Sequence, residues 1–412
     1  MNNKVDDKSC EGKFMLCKEN EKKVLDVYQK VNPSTHFIEN SDVEYNYCKD
    51  FMENLFLRRL HFPPKMFQGA DLLEFGSGTG EHSLFYLKYG AKCTFVEMNE
   101  LAIQREEMIF KHFGIDQSQY KIYNKSLFDT FDNNNSKYDI VVSMGVIHHT
   151  NDKELAFDIK CQYLKEKGFL ILGIGNVSGV FQRNLQRAIL YQLSDSDDDI
   201  ERFAEELFHE DINRAEKFGK RSRKAIIYDN YVNPKHDMPS ISEVLSWFNK
   251  NNLLLYSAYP PIVPAIIGDS AVRNPVSYQK LSNIMSIAEI IWMMHRDDDI
   301  VQMSKFDTDM TNIVSFFKDL AAFANNVSKN KPLTNIDEFA DRIESFLRKD
   351  LKINPYEYWQ TTAMEFLYEV QSVIVCIKDN RIDKLKKTIK NLKHLFRGTS
   401  GLGISYFIGY KN

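Results

Sequence analysis

The sequence predicts an α/β protein whose core is a doubly wound, mostly parallel sheet carrying a large helical insertion. Three observations predict it. Asp71-Leu72-Leu73-Glu74-Phe75 is an almost continuous apolar run that breaks into glycines, as a strand buried on both faces does. Similar runs recur at 92–97, 120–124, 138–143 and 168–175. Helical patterns at 81–89, 99–113 and 152–165 lie between most of them, and parallel strands need such crossovers.

Taken in order, residues 1 to about 20 are rich in lysine and glutamate and are expected to be loosely ordered. From Glu21 to about Pro63 the pattern is helical, with Phe51, Leu55, Phe56, Leu57 and Leu60 set to pack ahead of the first strand. After that strand comes Gly76-Ser77-Gly78-Thr79-Gly80. Glycines at alternate positions let the backbone turn tightly and touch a ligand, and the next helix aims its first amides at the same place. A dinucleotide fingerprint needs a third glycine where Glu81 stands, and a P-loop needs a Lys-Ser or Lys-Thr pair that is absent. The second strand, Ala91 to Glu97, closes on an acid about 20 residues beyond the loop, where doubly wound folds grip a ribose diol. Tyr138 to Ser143 is a further buried strand, opening into Met144-Gly145-Val146-Ile147-His148-His149.

The order Glu-x-Gly-x-Gly-x-Gly, second-strand acid, then Asp-φ-φ-φ-Ser-x-x-φ-φ-His resembles the class I S-adenosylmethionine-dependent methyltransferase superfamily, of the bacterial small-molecule type. The resemblance implies a seven-stranded Rossmann-like sheet with an antiparallel last strand, and S-adenosyl-L-methionine as cofactor. It places Glu74, Gly76, Ser77, Gly78, Gly80, Glu97, Met98, Asp129, Ser143 and Met144 around that cofactor, Asp129 toward the adenine and Ser143 and Met144 toward the methionine portion. His149, and secondarily His148, then stand where the acceptor loses its proton; histidine titrates near neutrality and suits a general base. The bland reading of the pair is a loop-shaping one.

The second half departs from the minimal fold. Asn176 to about Pro239 is a charge-rich insertion in which Arg183 and Arg187, four apart, share a helix face as a candidate carboxylate or phosphate clamp. Tyr228 to Asp237 resembles the Asp-x-x-x-x-Pro-x-His loop of some small-molecule methyltransferases, making Asp229 and His236 candidate substrate contacts. Ser240 starts a helix whose apolar face is Val244, Leu245, Trp247 and Phe248, and Leu253 to Tyr259 reads as the sixth strand. Residues 262–400 are helical in period, with Phe339, Ile343, Phe346 and Leu347 on one face and Ile382, Leu385, Ile389, Leu392 and Phe396 on another. Strand character returns only at Gly403 to Lys411, which is expected to be the seventh strand. The expected divisions are a cap (1–70), a core (71–176), a substrate lid (177–239), core again (240–261), a helical insertion (262–400) and a final core strand (401–412).

At 412 residues more than one structural unit is expected. A hydrophobic fraction of 43% with net charge −4 describes an ordinary globular chain and gives nucleic acid no global attraction. No apolar run is long enough to span a bilayer, and the scattered cysteines (no Cys-x-x-Cys, no zinc spacing) fit a reduced, cytoplasmic protein without metal or membrane. The expected acceptor is a small molecule, methylated on oxygen or nitrogen. Two other readings stay open. One is a tRNA-modifying enzyme of the wobble-uridine type, for which the Val146–His149 stretch and the lysines of 382–397 speak and the aspartates of 195–199 and 297–299 do not. The other is a non-catalytic interaction protein.

Overall fold

The apolar runs of the first half form adjacent strands of one sheet. The structure is a computed structural model and describes residues 19, 21–31, 41–129, 136–219, 222–262, 277–294, 311–325, 333, 335–349, 358–396 and 404–412. The N-terminal stretch 1–18, the aspartates at 297–299 and the expected strand start at Gly403 lie outside these residues. By contacts the chain divides into two units, one of Met1–Ile174, Ser242–Tyr278 and Ile404–Asn412, the other of Gly175–Ile241 and Gln279–Gly403.

In the first unit, helices over residues 21–30 (α1) and Ser41–Glu53 (α2) precede β1 (Asp71–Phe75), α3 (Ser83–Lys88), β2 (Lys92–Glu97) and α4 (Glu100–His112). Then come β3 (Tyr120–Asn124), β4 (Tyr138–Met144), α5 (Lys153–Gln162) and β5 (Leu164–Gly175). The seven-stranded sheet has the order β3-β2-β1-β4-β5-β7-β6, with β6 at Leu253–Tyr259 and β7 at Ile404–Lys411. Strands β1 to β5 pair in parallel, and β7 runs antiparallel to β6. Leu72, Leu73 and Phe75 of β1 have no exposed surface, which is why that run shows no polar alternation. Phe56, Phe62, Phe67, Tyr86 and Phe110 pack around this sheet in one core.

The helix expected over 152–165 stops at Gln162, and the strand expected at 168 begins at Leu164. The register shifts between Tyr138 and Ile140, and Gly168 sits where a Cβ would come 2.9 Å from the Asp139 carbonyl. An irregular strand hides its start from a period-two reading. The closing strand is seated by small residues. Tyr406 lies against Gly173 of β5, at 3.1 Å from the position of an added Cβ, and Gly409 faces Phe248 and Leu253. Phe248 belongs to α9 (Ile241–Lys250), whose Val244, Leu245, Trp247 and Phe248 are all buried.

The second unit holds α6 (Phe181–Leu193), α7 (Asp197–Gly219), α8 (Arg223–Ile227), α10 (Tyr278–Met294), α11 (Thr311–Asn325), α12 (Ile336–Lys349), α13 (Tyr358–Lys378) and α14 (Ile382–Asn391). Phe339, Ile343, Phe346 and Leu347 are buried, with Phe346 stacked on Phe316 at 3.9 Å between ring centroids. The last amphipathic run ends as a helix at Asn391 rather than continuing to Phe396. There Glu369 accepts the N–H groups of Lys393, His394 and Leu395 at 2.6, 2.9 and 2.7 Å, replacing the helical partners. One carboxylate of α10 holds both ends of the 177–239 segment: Glu289 Oε1 accepts from Asn176 Nδ2 at 2.8 Å and from the Ile241 amide at 3.0 Å.

Ile408 of β7 is fully buried, so Ile408→Ala is expected to lower the unfolding free energy by roughly 3 kcal/mol in urea titration. Removing Ile404–Asn412 is expected to abolish the cooperative thermal transition, because it strips β6 of its partner in the sheet.

Candidate active site

The sheet order reverses between β1 and β4, and doubly wound sheets bind ligands at that crevice beyond the strands' carboxyl ends. One wall is the glycine loop that leaves β1. Gly76, Gly78 and Gly80 all lie in the left-handed region, at φ +74, +59 and +83. Each is glycine for a separate reason. A Cβ on Gly76 would come 2.4 Å from Val146 Cγ2, and one on Gly80 would come 2.7 Å from Glu106 Cγ. Around Gly78 nothing lies within 4 Å, so its face is open to a ligand.

Carboxyl groups surround the loop. Glu97, at the tip of β2, accepts the Gly78 amide on Oε2 at 3.0 Å and the Asn99 amide on Oε1 at 2.8 Å. Each oxygen keeps a further lone pair for a hydroxyl. Glu74 on β1 accepts from Ser83 Oγ at 2.6 Å, and Glu106 on α4 accepts from Ser77 Oγ at 2.9 Å. The Thr79 hydroxyl donates to Glu81. Burial raises all three deep carboxyls. It pushes Glu74 up to about 7, against the Ser83 hydrogen bond that lowers it and with Glu97 repulsion adding to the rise. Burial raises Glu97 while its amide partners hold it down, and burial followed by Glu74 repulsion raises Glu106 well above the ordinary range.

The other wall follows β4. Ser143 Oγ is buried without a hydrogen-bond partner, and Met144 Sδ accepts from Tyr86 Oη at 3.2 Å. Gly145, at φ +76, leads into the turn Ile147–His149. His148 is buried and His149 half-buried, their ring centroids 4.2 Å apart. Above them lies α1. Tyr28 Oη and His149 Nε2 share a hydrogen bond of 3.3 Å, with the rings edge to face at 6.0 Å. The direction of that bond follows the histidine tautomer. Glu21 at the start of α1 accepts the Ser126 hydroxyl at 2.6 and 2.7 Å.

The remaining expected residues are placed as follows. The Met98 carbonyl accepts from Asn124 Nδ2 at 3.1 Å. Asp129 Oδ2 accepts the Ser126 amide at 3.2 Å and so closes its own turn. In the second unit, Arg187 is buried and its guanidinium donates to the carbonyls of Asn230 and Asn233 at 2.9 and 2.7 Å. It therefore clips the 230–233 backbone to α6, while Arg183 is half-buried. Asp229 lies in the turn Tyr228–Val232, and His236 is buried beyond it. Glu106 and Tyr28 were not foreseen. Glu106 falls on the stripe Ala102, Glu106, Ile109, Phe110 that α4 buries, and an acid on an apolar stripe is the signal that marks it.

These groups fit a nucleoside ligand carrying no phosphate: an open glycine face, a carboxylate at hydroxyl reach, and an orphaned Ser143 hydroxyl. Residues 44–214 match the family model described as a methyltransferase domain. The likeness to a methyltransferase domain thus takes in the glycine loop, the tip of β2 and the β4 turn, and covers less than half of the chain. No curated protein matches the sequence. Among solved structures, PKMT2 from Rickettsia typhi is similar at 14% identity and TM-score 0.42, over 59% of this chain and 50% of that one. A methyltransferase from Clostridium acetobutylicum is similar at 20% identity and TM-score 0.26, over 34% of this chain and 55% of that one. Magnesium protoporphyrin IX methyltransferase from Synechocystis is similar at 14% and 0.27, over 42% and 79%. The chain thus spans about half the length of the first of these structures. Among the described residues no cluster has the makings of a metal site, and no helix is long and apolar enough to cross a membrane.

The two outer glycines should answer differently from the middle one. Gly78→Ala carries only the left-handed penalty, roughly 1–2 kcal/mol, whereas Gly76→Ala adds the collision with Val146 and should cost clearly more in urea titration. A pH prediction follows from Glu74. Its folded value is raised above the unfolded one, so the folded state binds the proton more tightly, and stability falls as pH rises from about 4.5 to about 7. Glu74→Gln, which keeps an acceptor for Ser83, is expected to flatten that fall and to stabilise the protein at pH 8 by up to about 3 kcal/mol, read from melting curves against pH.

Proposed function

We propose that the protein is a methyltransferase that moves the methyl group of S-adenosyl-L-methionine to an oxygen or nitrogen of a small-molecule acceptor, a sugar or biosynthetic intermediate. One arrangement carries the proposal: the open left-handed turn at Gly78, tied to Glu97, stands across the β1–β4 crevice from His149. When bound, the cofactor supplies an electrophilic methyl on a sulfonium. Transfer is an in-line displacement, so the protein's part is alignment and disposal of the acceptor's proton.

Gly76, Ser77, Gly78 and Gly80 would carry the methionine side of the cofactor, Glu97 its ribose hydroxyls, and Met98 and Asp129 its base. Ser143 and Met144 form the wall toward the methyl. His149 takes the acceptor's proton, and the Tyr28 hydroxyl, bonded at Nε2, holds the ring in orientation. His148, packed against it, fixes the turn. The described cysteines Cys48, Cys93, Cys161 and Cys376 are all free thiols, which supports placing the enzyme in a reducing cytoplasm.

S-adenosylmethionine should raise the melting temperature, by about 2.7 kcal/mol of added stability at 100 times its dissociation constant, and NAD should not. No shift, or an equal shift with NAD, refutes the proposal. With labelled cofactor, methyl incorporation is expected in a small-metabolite extract and not in total RNA; the opposite result would transfer the reading to RNA modification. His149→Ala is expected to lower kcat about 100-fold or more, and Tyr28→Phe to lower it less, with the cofactor's affinity unchanged in both.

A further inference from the structure

The glycine loop rests on a carboxyl group that its motif does not require. Glu106 has no exposed surface, and its Cβ and Cγ occupy the space that a side chain at position 80 would need. Its Oε2 holds the Ser77 hydroxyl, and its Oε1 is buried without a hydrogen-bond partner. The ionisable groups that face it come from every neighbouring element. They are Glu74 on β1, Glu81 after the loop, Glu97 and the Cys93 thiol on β2, and the Tyr120 phenol on β3. Among the described residues no lysine or arginine is bonded to Glu74, Glu97 or Glu106.

Three buried carboxyls about one loop, with no cation among them, resist full ionisation. A ligand that brings positive charge to the loop supplies the missing counter-charge. By linkage, whatever favours the ionised carboxyl also favours that ligand, and the reverse holds equally. We propose that Glu106 is a positioning residue that makes the loop select a positively charged ligand, by holding Ser77 and by releasing a proton to solvent when that ligand binds. The inference rests on the cofactor reading above. S-adenosylmethionine carries a sulfonium charge that its demethylated product lacks, while the rest of the two molecules is the same. The protein would therefore prefer donor to spent product through the charge of its own loop floor, more strongly as pH rises.

Isothermal titration at pH 7.5 in phosphate and in Tris, buffers of very different ionisation heat, counts the protons released by each ligand. The full chain is expected to release a fraction of a proton, on the order of one half, with S-adenosylmethionine and clearly less with S-adenosylhomocysteine. Glu106→Gln keeps an acceptor for Ser77 and should diminish the release while flattening the pH dependence of the donor-to-product affinity ratio. Ser77→Ala should weaken both ligands severalfold and keep the difference in proton release between them. Equal release with the two ligands, or release untouched by Glu106→Gln, overturns the inference. Should Glu106→Gln fail to fold, the comparison of the two ligands on the unaltered protein still decides. Absence of any binding heat with either ligand would refute the cofactor reading instead.

Discussion

The structure depends on a strand arriving late. β7 lies between β5 and β6, so the sheet is closed only by residues that come after the whole of the second unit in sequence. That placement obliges the chain between Tyr259 and Ile404 to leave and return, and it dictates where side chains must be absent. Gly173 admits Tyr406, and Gly409 admits Phe248 and Leu253. The excursion is stabilised within the second unit, by aromatic stacking of Phe316 on Phe346 and by Glu289, which holds Asn176 and the Ile241 amide on one oxygen. A helical insertion of this size is tolerable because loop-closure entropy grows only slowly with length.

At the crevice the governing quantity is buried charge. A loop built of left-handed glycines offers amide edges but no side chain, so selectivity has to come from what lies beneath and beside it. Glu97 bonds the loop's middle amide, Glu74 is steadied by Ser83, and Glu106 fills the space under Gly80. Each carboxyl is costly alone. Together they form an acidic floor beneath the loop, whereas the opposite wall, from Ser143 to His149, carries the histidines proposed above as the acid–base groups.

Much of this was legible in one dimension. Strands buried on both faces announce themselves as unbroken apolar runs, and Glu97 could be read from its distance beyond the glycines. The closing strand at 404–411 is expected from the return of strand character after a long helical stretch. What escaped were features set by tertiary contact. Tyr28 meets His149 from 121 positions away, and no local period marks such a pairing. Arg187 shares a helix face with Arg183, as its spacing required, yet the carbonyls of Asn230 and Asn233 claim its guanidinium. The ends of α5 and α14 were misjudged because an irregular strand start and the Glu369 carboxylate offered the backbone better partners than another helical turn.

The contact of Gly76 with Val146 ties the two walls together. Only 2.4 Å separates Val146 Cγ2 from where a side chain on Gly76 would begin, so a residue of the turn after β4 also limits what the glycine turn can carry. Substitutions on the two sides are therefore not independent variables. In a directed-evolution campaign a smaller residue at 146 would open room at the glycine turn and on the β4 wall at once. Libraries that sample 146 together with 76 would then reach side chains at 76 that no single change admits, because the two positions share one space.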